Sequence, residues 1–189
     1  MTVDSGLGLK RCFDAAYPPV SAPPGYEAVL GYIGGPLAEH KWELRDWRQF
    51  PHLRQFPCYV PDLAQDPYDQ AVEAVKLAAE LGWNADGDRA IIGDLETEVD
   101  RSWWKVFAGT ITERKFVPVC YGSLSTVLLN AAERIWAADW DHERVIPSGQ
   151  AILAGQYDAG IAFGGTEVDV SVLSPELFRL GGLGPRELS

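Results

Sequence analysis

Short apolar runs alternate with amphipathic stretches along this chain of 189 residues. Apolar runs of about 4–8 residues that end at Gly or Pro are typical of buried strands. Eight such runs predict strands, at residues 11–16, 28–33, 56–60, from 90 onward, 117–122, 134–140, 151–157 and 168–171.

Amphipathic stretches between these runs predict helices at residues 41–53, 66–82, 100–115 and 123–132. The second is the clearest, because Asp66-Pro67 supplies a cap and Gly82 ends its apolar stripe. Strands alternating with helices indicate an α/β fold with parallel pairing. We therefore expect one irregular (β/α)8 TIM-like barrel over residues 1–180, with shortened helices in its last third, and a flexible tail over 181–189.

The fourth predicted strand ends in acids at every second position: Asp94, Glu96 and Glu98. Residues two apart share one face of a strand, so these carboxylates would cluster at the C-terminal mouth of a barrel. Crowding and burial there separate carboxyl pKa values, as acid catalysis of glycoside cleavage requires. The alternative is a polar strand end whose solvated acids cap the next helix.

Other polar residues lie at or near predicted strand ends. Asp14, Asp139 and Asp169 follow apolar positions of three further strands. Aromatic rings pack against the apolar faces of sugars, and amides and carboxylates bind hydroxyls, so the set favours a polysaccharide cleft, although each aromatic could instead be core. The accompanying aromatic and amide residues are Tyr32, Tyr59, Tyr121, Trp136, Trp140, Gln156 and Tyr157.

The net charge of the chain indicates which classes of binding partner are favoured. The chain has 16 Lys and Arg against 27 Asp and Glu, a formal net charge of -11. Nucleic acid and anionic membranes are bound mainly through basic residues, so both are disfavoured, whereas a neutral polyhydroxylated ligand fits. The acidity could equally serve solubility alone. Neither a Sec signal nor a membrane span is recognisable, so we expect a protein made in the cytoplasm.

Neither a disulfide framework nor a metal site is predicted. Cys12, Cys58 and Cys120 are far apart in apolar runs, and the three histidines are scattered without ligand spacing. Glycine-rich phosphate loops are also missing from the sequence. We expect no cofactor.

Several landmarks, in order along nearly the whole chain, resemble those of the family 25 glycoside hydrolases, the Chalaropsis-type lysozymes. The most specific is the Asp-x-Glu of strand four combined with a late Val-Asp. The matching segments are Phe13-Asp-Ala15, Gly93-Asp-Leu-Glu96, Ile135-Trp-Ala-Ala-Asp-Trp140, Gln156-Tyr157 and Glu167-Val-Asp-Val170.

This resemblance implies an irregular barrel that cleaves the β-1,4 bond between N-acetylmuramic acid and N-acetylglucosamine in peptidoglycan. Glu96 would protonate the leaving oxygen, and Asp94 would stabilise the oxocarbenium charge or position the N-acetyl group. Asp14 and Asp169 would complete the acidic floor. The residues expected to bind sugar are Tyr32, Tyr59, Tyr121, Asp139, Trp140, Gln156 and Tyr157.

Two positions depart from the family pattern: Trp140 stands where a tyrosine is common, and Gly155 where a tryptophan is common. Strand two is closer to glycoside-hydrolase-like barrels of unknown function. The leading hypothesis is a metal-independent muramidase that reaches the wall after release or as part of a virion. The rival hypothesis is a non-catalytic glycan-binding or structural barrel, with phage tail proteins as possible partners.

Overall fold

The computed structural model describes residues 8–83, 88–95, 100–129, 133–139, 141–147 and 151–183. Its strands are β1 Lys10–Ala15, β2 Ala28–Gly34, β3 Arg54–Tyr59, β4 Ala90–Asp94, β5 Val117–Ser123, β6 Ile135–Ala138, β7 Ile152–Phe163, β8 Thr166–Leu173 and β9 Gly182–Leu183. Its helices are α1 Leu44–Trp47, α2 Pro67–Glu80, α3 Arg101–Glu113, α4 Leu124–Leu129 and α5 Pro175–Leu180.

Strands β1 to β8 pair in sequence order, and β8 returns to β1, which closes the barrel. The predicted irregular α/β barrel is thereby confirmed. Strands β1 to β7 run parallel, but β8 is antiparallel to both β7 and β1, contrary to the expected parallel pairing. The cause is the two-residue Gly164-Gly165 connection, with φ of 59° and 84°, because a parallel pair needs a long crossover.

Alternation along the strands divides the core into two layers. Cys12, Leu30, Phe56 and Ile92 belong to an apolar cluster that fills the barrel. Their strand neighbours face outward into a second cluster under the helices, where Phe13 contacts Phe50 with ring centroids 5.7 Å apart. Burial of both strand faces explains why these segments read as continuous apolar runs.

The helices are longest in the middle of the chain. Asp66 accepts hydrogen bonds from the N–H groups of Tyr68 and Asp69 and so starts α2, as predicted. The helix predicted over 41–53 is only Leu44–Trp47, followed by turns. Within the described ranges, no helix has the length and apolar character needed to cross a membrane.

Residues after β8 close the N-terminal end of the barrel. Leu177 of α5 is fully buried in the inner cluster, and β9 pairs with the start of β3 through Arg54 and Gln55. Residues 182 and 183 therefore belong to the sheet rather than to the predicted tail, and residues 184–189 lie outside the described ranges. With this end packed by apolar side chains, the opposite end is the polar mouth.

Candidate active site at the barrel mouth

The last inward-facing position of several strands carries a polar side chain. Asp14 of β1 is paired in register with Asp169 of β8, and Asp94 of β4 with Tyr121 of β5. Asp14 and Asp94 are 3 % and 4 % exposed. The alternation that buries apolar side chains lower in the barrel thus brings three predicted aspartates into one mouth.

Asp14 is almost completely buried. Among the described residues, no hydrogen-bond donor reaches its Oδ1 atom, which is buried. Burial raises the pKa of Asp14 well above its ordinary value, and the negative charges of Asp169 and Asp94 raise it further. Asp14 therefore keeps its proton to a higher pH than an ordinary aspartic acid.

Asp169 lies in a more polar environment. Gln156 Nε2 donates to its Oδ2 at 2.8 Å, and the Gly160 N–H donates to its Oδ1 at 2.7 Å. Burial raises the pKa of Asp169, while these two hydrogen bonds oppose that shift because they favour the carboxylate. Two neighbouring carboxyls thus differ in what stabilises their charge.

Tyr121, Gln156 and Asp169 form a hydrogen-bonded chain across β5, β7 and β8. The Tyr121 hydroxyl donates to Gln156 Oε1, which turns Nε2 of that amide toward Asp169. Gln156 is fully buried, so the chain fixes the orientation of its amide. All three residues lie at the mouth, and their catalytic and sugar-binding roles stay predictions.

Two tyrosine hydroxyls accompany the acids. Burial raises the pKa of Tyr32, and nearby Cys58 and the aspartates of the mouth add to the effect. Burial likewise raises the pKa of Tyr121, with contributions from Asp14 and Asp94. Both phenols remain protonated at any ordinary pH. Tyr32 can donate a hydrogen bond to a ligand oxygen, whereas the Tyr121 proton is already donated to Gln156, so the Tyr121 oxygen can only accept from a ligand.

A cavity of about 270 Å³ adjoins this cluster. Asp94 and Tyr32 form its polar inner wall, so a ligand seated there would meet one carboxylate and one phenol. The rest of the lining comes from loops after β1, β2 and β3: Ala16, Leu37, Ala38, Glu39, His40 and Val60.

Two predicted sugar-binding residues lie elsewhere. Tyr59 faces outward from β3, where its hydroxyl donates to Glu73 of α2 at 2.6 Å. Tyr157 is buried in the outer core cluster, with Arg144 5.6 Å from its ring centroid. Both follow an inward-facing residue, Cys58 and Gln156 respectively, so strand alternation directs them away from the mouth.

Three further predicted positions remain to be placed. Asp139 directly follows β6 and is half-buried, and its N–H donates to the Gln156 carbonyl at 2.9 Å, so its backbone lies at the mouth. Glu96 and Trp140 lie outside the described residues. The part of the chain that is described contains no group of three His, Cys, Asp or Glu residues arranged as metal ligands.

Sequence reasoning missed the loop residues Leu37, Glu39 and His40, which form the outer cavity wall. They belong to no apolar run, and only the preceding Gly34-Gly35 turn signals that the chain bends over the barrel there. Gly35 has a φ of 113°, and a Cβ on it would lie 2.2 Å from the Val60 carbonyl oxygen. That close approach holds the loop against the end of β3.

No protein-family model matches the sequence, and no curated protein matches it. Solved structures do share its architecture. A Bacillus anthracis family 25 glycosyl hydrolase is 12 % identical, with 92 % of this chain and 93 % of that one covered and a TM-score of 0.65. The chain has a family 25-type barrel fold.

Two other structures extend this likeness. The bacterial lysozyme from Streptomyces coelicolor is 17 % identical over 91 % of this chain and 96 % of that one, with a TM-score of 0.67. An uncharacterized B. stearothermophilus protein is 14 % identical over 92 % and 100 % of the two chains, with a TM-score of 0.73. These likenesses establish the family 25-type fold; the chemistry rests on the residues at the mouth.

Proposed function

We propose that this protein is a lysozyme-type peptidoglycan hydrolase that cleaves the β-1,4 bond between N-acetylmuramic acid and N-acetylglucosamine. One observation carries the proposal: three aspartates in unequal environments meet beside a cavity large enough to admit part of a glycan. Glycoside cleavage needs a carboxylic acid and an ionised carboxylate together. A lysozyme and a family 25 hydrolase among the similar folds add support.

The proposed reaction divides the work among the carboxyl groups. Glu96, assigned from the sequence, donates its proton to the glycosidic oxygen as the bond between that oxygen and the anomeric carbon breaks. Asp94 faces the cavity and stabilises the positive charge that develops on the sugar. Water then adds to the anomeric carbon and gives a proton to the Glu96 carboxylate, which restores the acid.

The surrounding polar groups orient the substrate. Tyr32 is a protonated donor that can bind a sugar hydroxyl or acetamido oxygen, and the Tyr121 oxygen can accept a hydrogen bond from a sugar hydroxyl. The Gln156 amide, held by Tyr121 and Asp169, keeps the inner wall fixed while the substrate binds. Such preorganisation lowers the cost of reaching the transition state.

Turbidity loss of purified cell walls tests the proposal. Glu96→Gln keeps the shape of the side chain but removes its proton, so activity should fall by about two to four orders of magnitude. Asp94→Asn should cost about 10²–10³-fold by removing the stabilising charge. Glu113→Gln, a matched change at an exposed position of α3, should leave the rate unchanged.

The same assay separates the alternatives. An equally active Glu96→Gln protein would move the acid role to another residue. Wild-type protein that sediments with the walls yet never clears them would contradict hydrolysis and support a glycan-binding barrel. A wall substrate also implies action outside the cytoplasm, and we propose release on lysis or virion association as the route.

A further inference from the structure

An exposed aromatic ring, Tyr17, stacks on a half-buried one, His40, at the rim of the cavity, and the reaction proposed above does not use either. Tyr17, in the loop after β1, and His40, in the loop after β2, have ring centroids 4.7 Å apart and an interplanar angle of 22°. His40 also lines the cavity that Asp94 faces. The stack is therefore continuous with the candidate active site.

Solvent reaches much of this pair. Tyr17 is 53 % exposed, and Leu37, another residue of the cavity wall, is equally exposed. One face of the Tyr17 ring lies against His40, which leaves the opposite face as the side on which a ligand ring could pack. Exposed apolar surface beside a concave site is typical of ligand contact.

The loops that carry the two rings are fixed from beneath. The Trp42 indole N–H donates to the Ala15 and Ala16 carbonyls at 3.2 and 3.3 Å, and its backbone N–H donates to the Tyr32 carbonyl at 2.8 Å. Trp42 is fully buried. A single anchored side chain thus ties the segment before Tyr17 to the segment after His40, so the stack does not itself need to hold the loops together.

The chemistry of this rim suits a pyranose ring. The C–H face of a sugar is apolar and packs flat on an aromatic ring, while its edge carries hydroxyl or acetamido groups that need polar partners. The exposed carboxylate of Glu39, in the same wall, can accept hydrogen bonds from that edge. An anionic ligand would be repelled by Glu39 and Asp94.

We propose that Tyr17 and His40 form an additional sugar subsite, in which the free face of Tyr17 packs against an uncharged N-acetylated pyranose of the glycan. This subsite rests on the proposed function. It would bind a further sugar of the same glycan, beyond the sugar that contacts Asp94. It favours long chains over short fragments, because only a longer glycan reaches both the rim and the acids.

Binding of a soluble β-1,4-linked N-acetylglucosamine hexamer tests the subsite without relying on turnover. The comparison is made in an Asp94→Asn background, with the bound sugar checked for intactness. Tyr17→Ala should weaken hexamer binding about 3- to 10-fold, the usual worth of an aromatic contact, whereas Tyr17→Phe should bind like the parent. Tyr68→Ala removes a similarly exposed tyrosine from α2 and serves as the matched control.

Nuclear magnetic resonance reports contact directly. The chain has three histidines, so the ring signals of His40 can be followed beside those of His52 and His142. Addition of the hexamer should shift the His40 signals and leave the other two in place. That readout does not depend on whether Tyr17→Ala folds well.

Each outcome is decisive. Equal affinity of folded Tyr17→Ala and its parent, an unmoved His40 signal, or failure of the parent to bind the hexamer would overturn the subsite. Weakened hexamer binding in a protein whose wild type clears no cell walls would keep the subsite and contradict hydrolysis. Wall clearance with an unmoved His40 signal would support hydrolysis and contradict the subsite.

Discussion

The aspartates of the mouth share one sign of charge but not one environment. Asp14 is buried, with no donor from the described residues at Oδ1, while Asp169 receives hydrogen bonds from Gln156 and Gly160. Desolvation penalises the charged form of Asp14 more than hydrogen bonding can offset. The pKa of each aspartate is therefore set by its burial and by the hydrogen-bond donors and charges around it, and not by its residue type alone.

Asp14→Asn should stabilise the protein at neutral and higher pH. Folding raises the pKa of Asp14, so the folded state holds that proton more tightly than the unfolded chain does. This contribution to stability is complete below the unfolded pKa and is lost as pH rises through the raised folded value. Each kcal/mol recovered by Asn would raise the melting temperature by about 2–4 °C in a chain of this size.

Thermal melts of wild type and Asp14→Asn from pH 4 to pH 8 measure this effect. The difference in melting temperature should be small at the acid end and should grow in favour of Asn as pH rises. Glu113→Gln, a change at an exposed carboxyl of α3, controls for the general loss of negative charge. A wild-type advantage that widens toward pH 8 would show that Asp14 is stabilised as an anion.

Among the elements, the strands were predictable and their connections were less so. Apolar runs located every strand of the closed barrel, because burial on both faces leaves a continuous hydrophobic signal. The direction of β8 was missed although Gly164-Gly165 between two apolar runs is a hairpin signal. Helix α5 and β9 were missed because a short amphipathic turn and a two-residue strand carry almost no periodicity.

In the candidate site, too, the residues on strands were predictable from the sequence and the residues on loops were not. Strand alternation placed Asp14, Asp94 and Asp169 correctly, since an inward position is fixed by its neighbours two residues away. The same rule, applied to Tyr59 and Tyr157, would have excluded them from the mouth. Loop residues such as His40 belong to no hydrophobic repeat in the sequence. Their position follows from backbone contacts that only the three-dimensional structure reveals.

The turn after β2 sets the outer wall of the cavity, and Gly35→Ala tests that role. A Cβ there would meet the Val60 carbonyl oxygen and would also strain a backbone φ of 113°. Gly165→Ala carries similar strain at a φ of 84° with nothing within 4 Å, and should cost about 1–2 kcal/mol. Gly35→Ala should cost more, seen as a lower denaturation midpoint. Equal losses in the two variants would show that the turn is not tightly held.

In the whole molecule, one end of the barrel is closed by packed side chains and the other end is a polar cavity. At one end Arg54 and Arg89 donate to the Gly181 carbonyl at 3.1 and 3.3 Å, and Leu177 fills the interior. At the other end, carboxylates, phenols and an aromatic rim surround a cavity. A glycan approaching the polar end meets the rim first and the acids beyond it.

The identity of the sugar at each new chain end tests the proposed hydrolysis most directly. Purified cell walls are digested in buffer containing EDTA, the products are reduced with borohydride, and the reduced sugar is identified by mass spectrometry. A carboxylate mechanism without a metal predicts reduced N-acetylmuramic acid, formed at the same rate with and without EDTA. Reduced N-acetylglucosamine, products that disappear with EDTA, or walls left intact would contradict it.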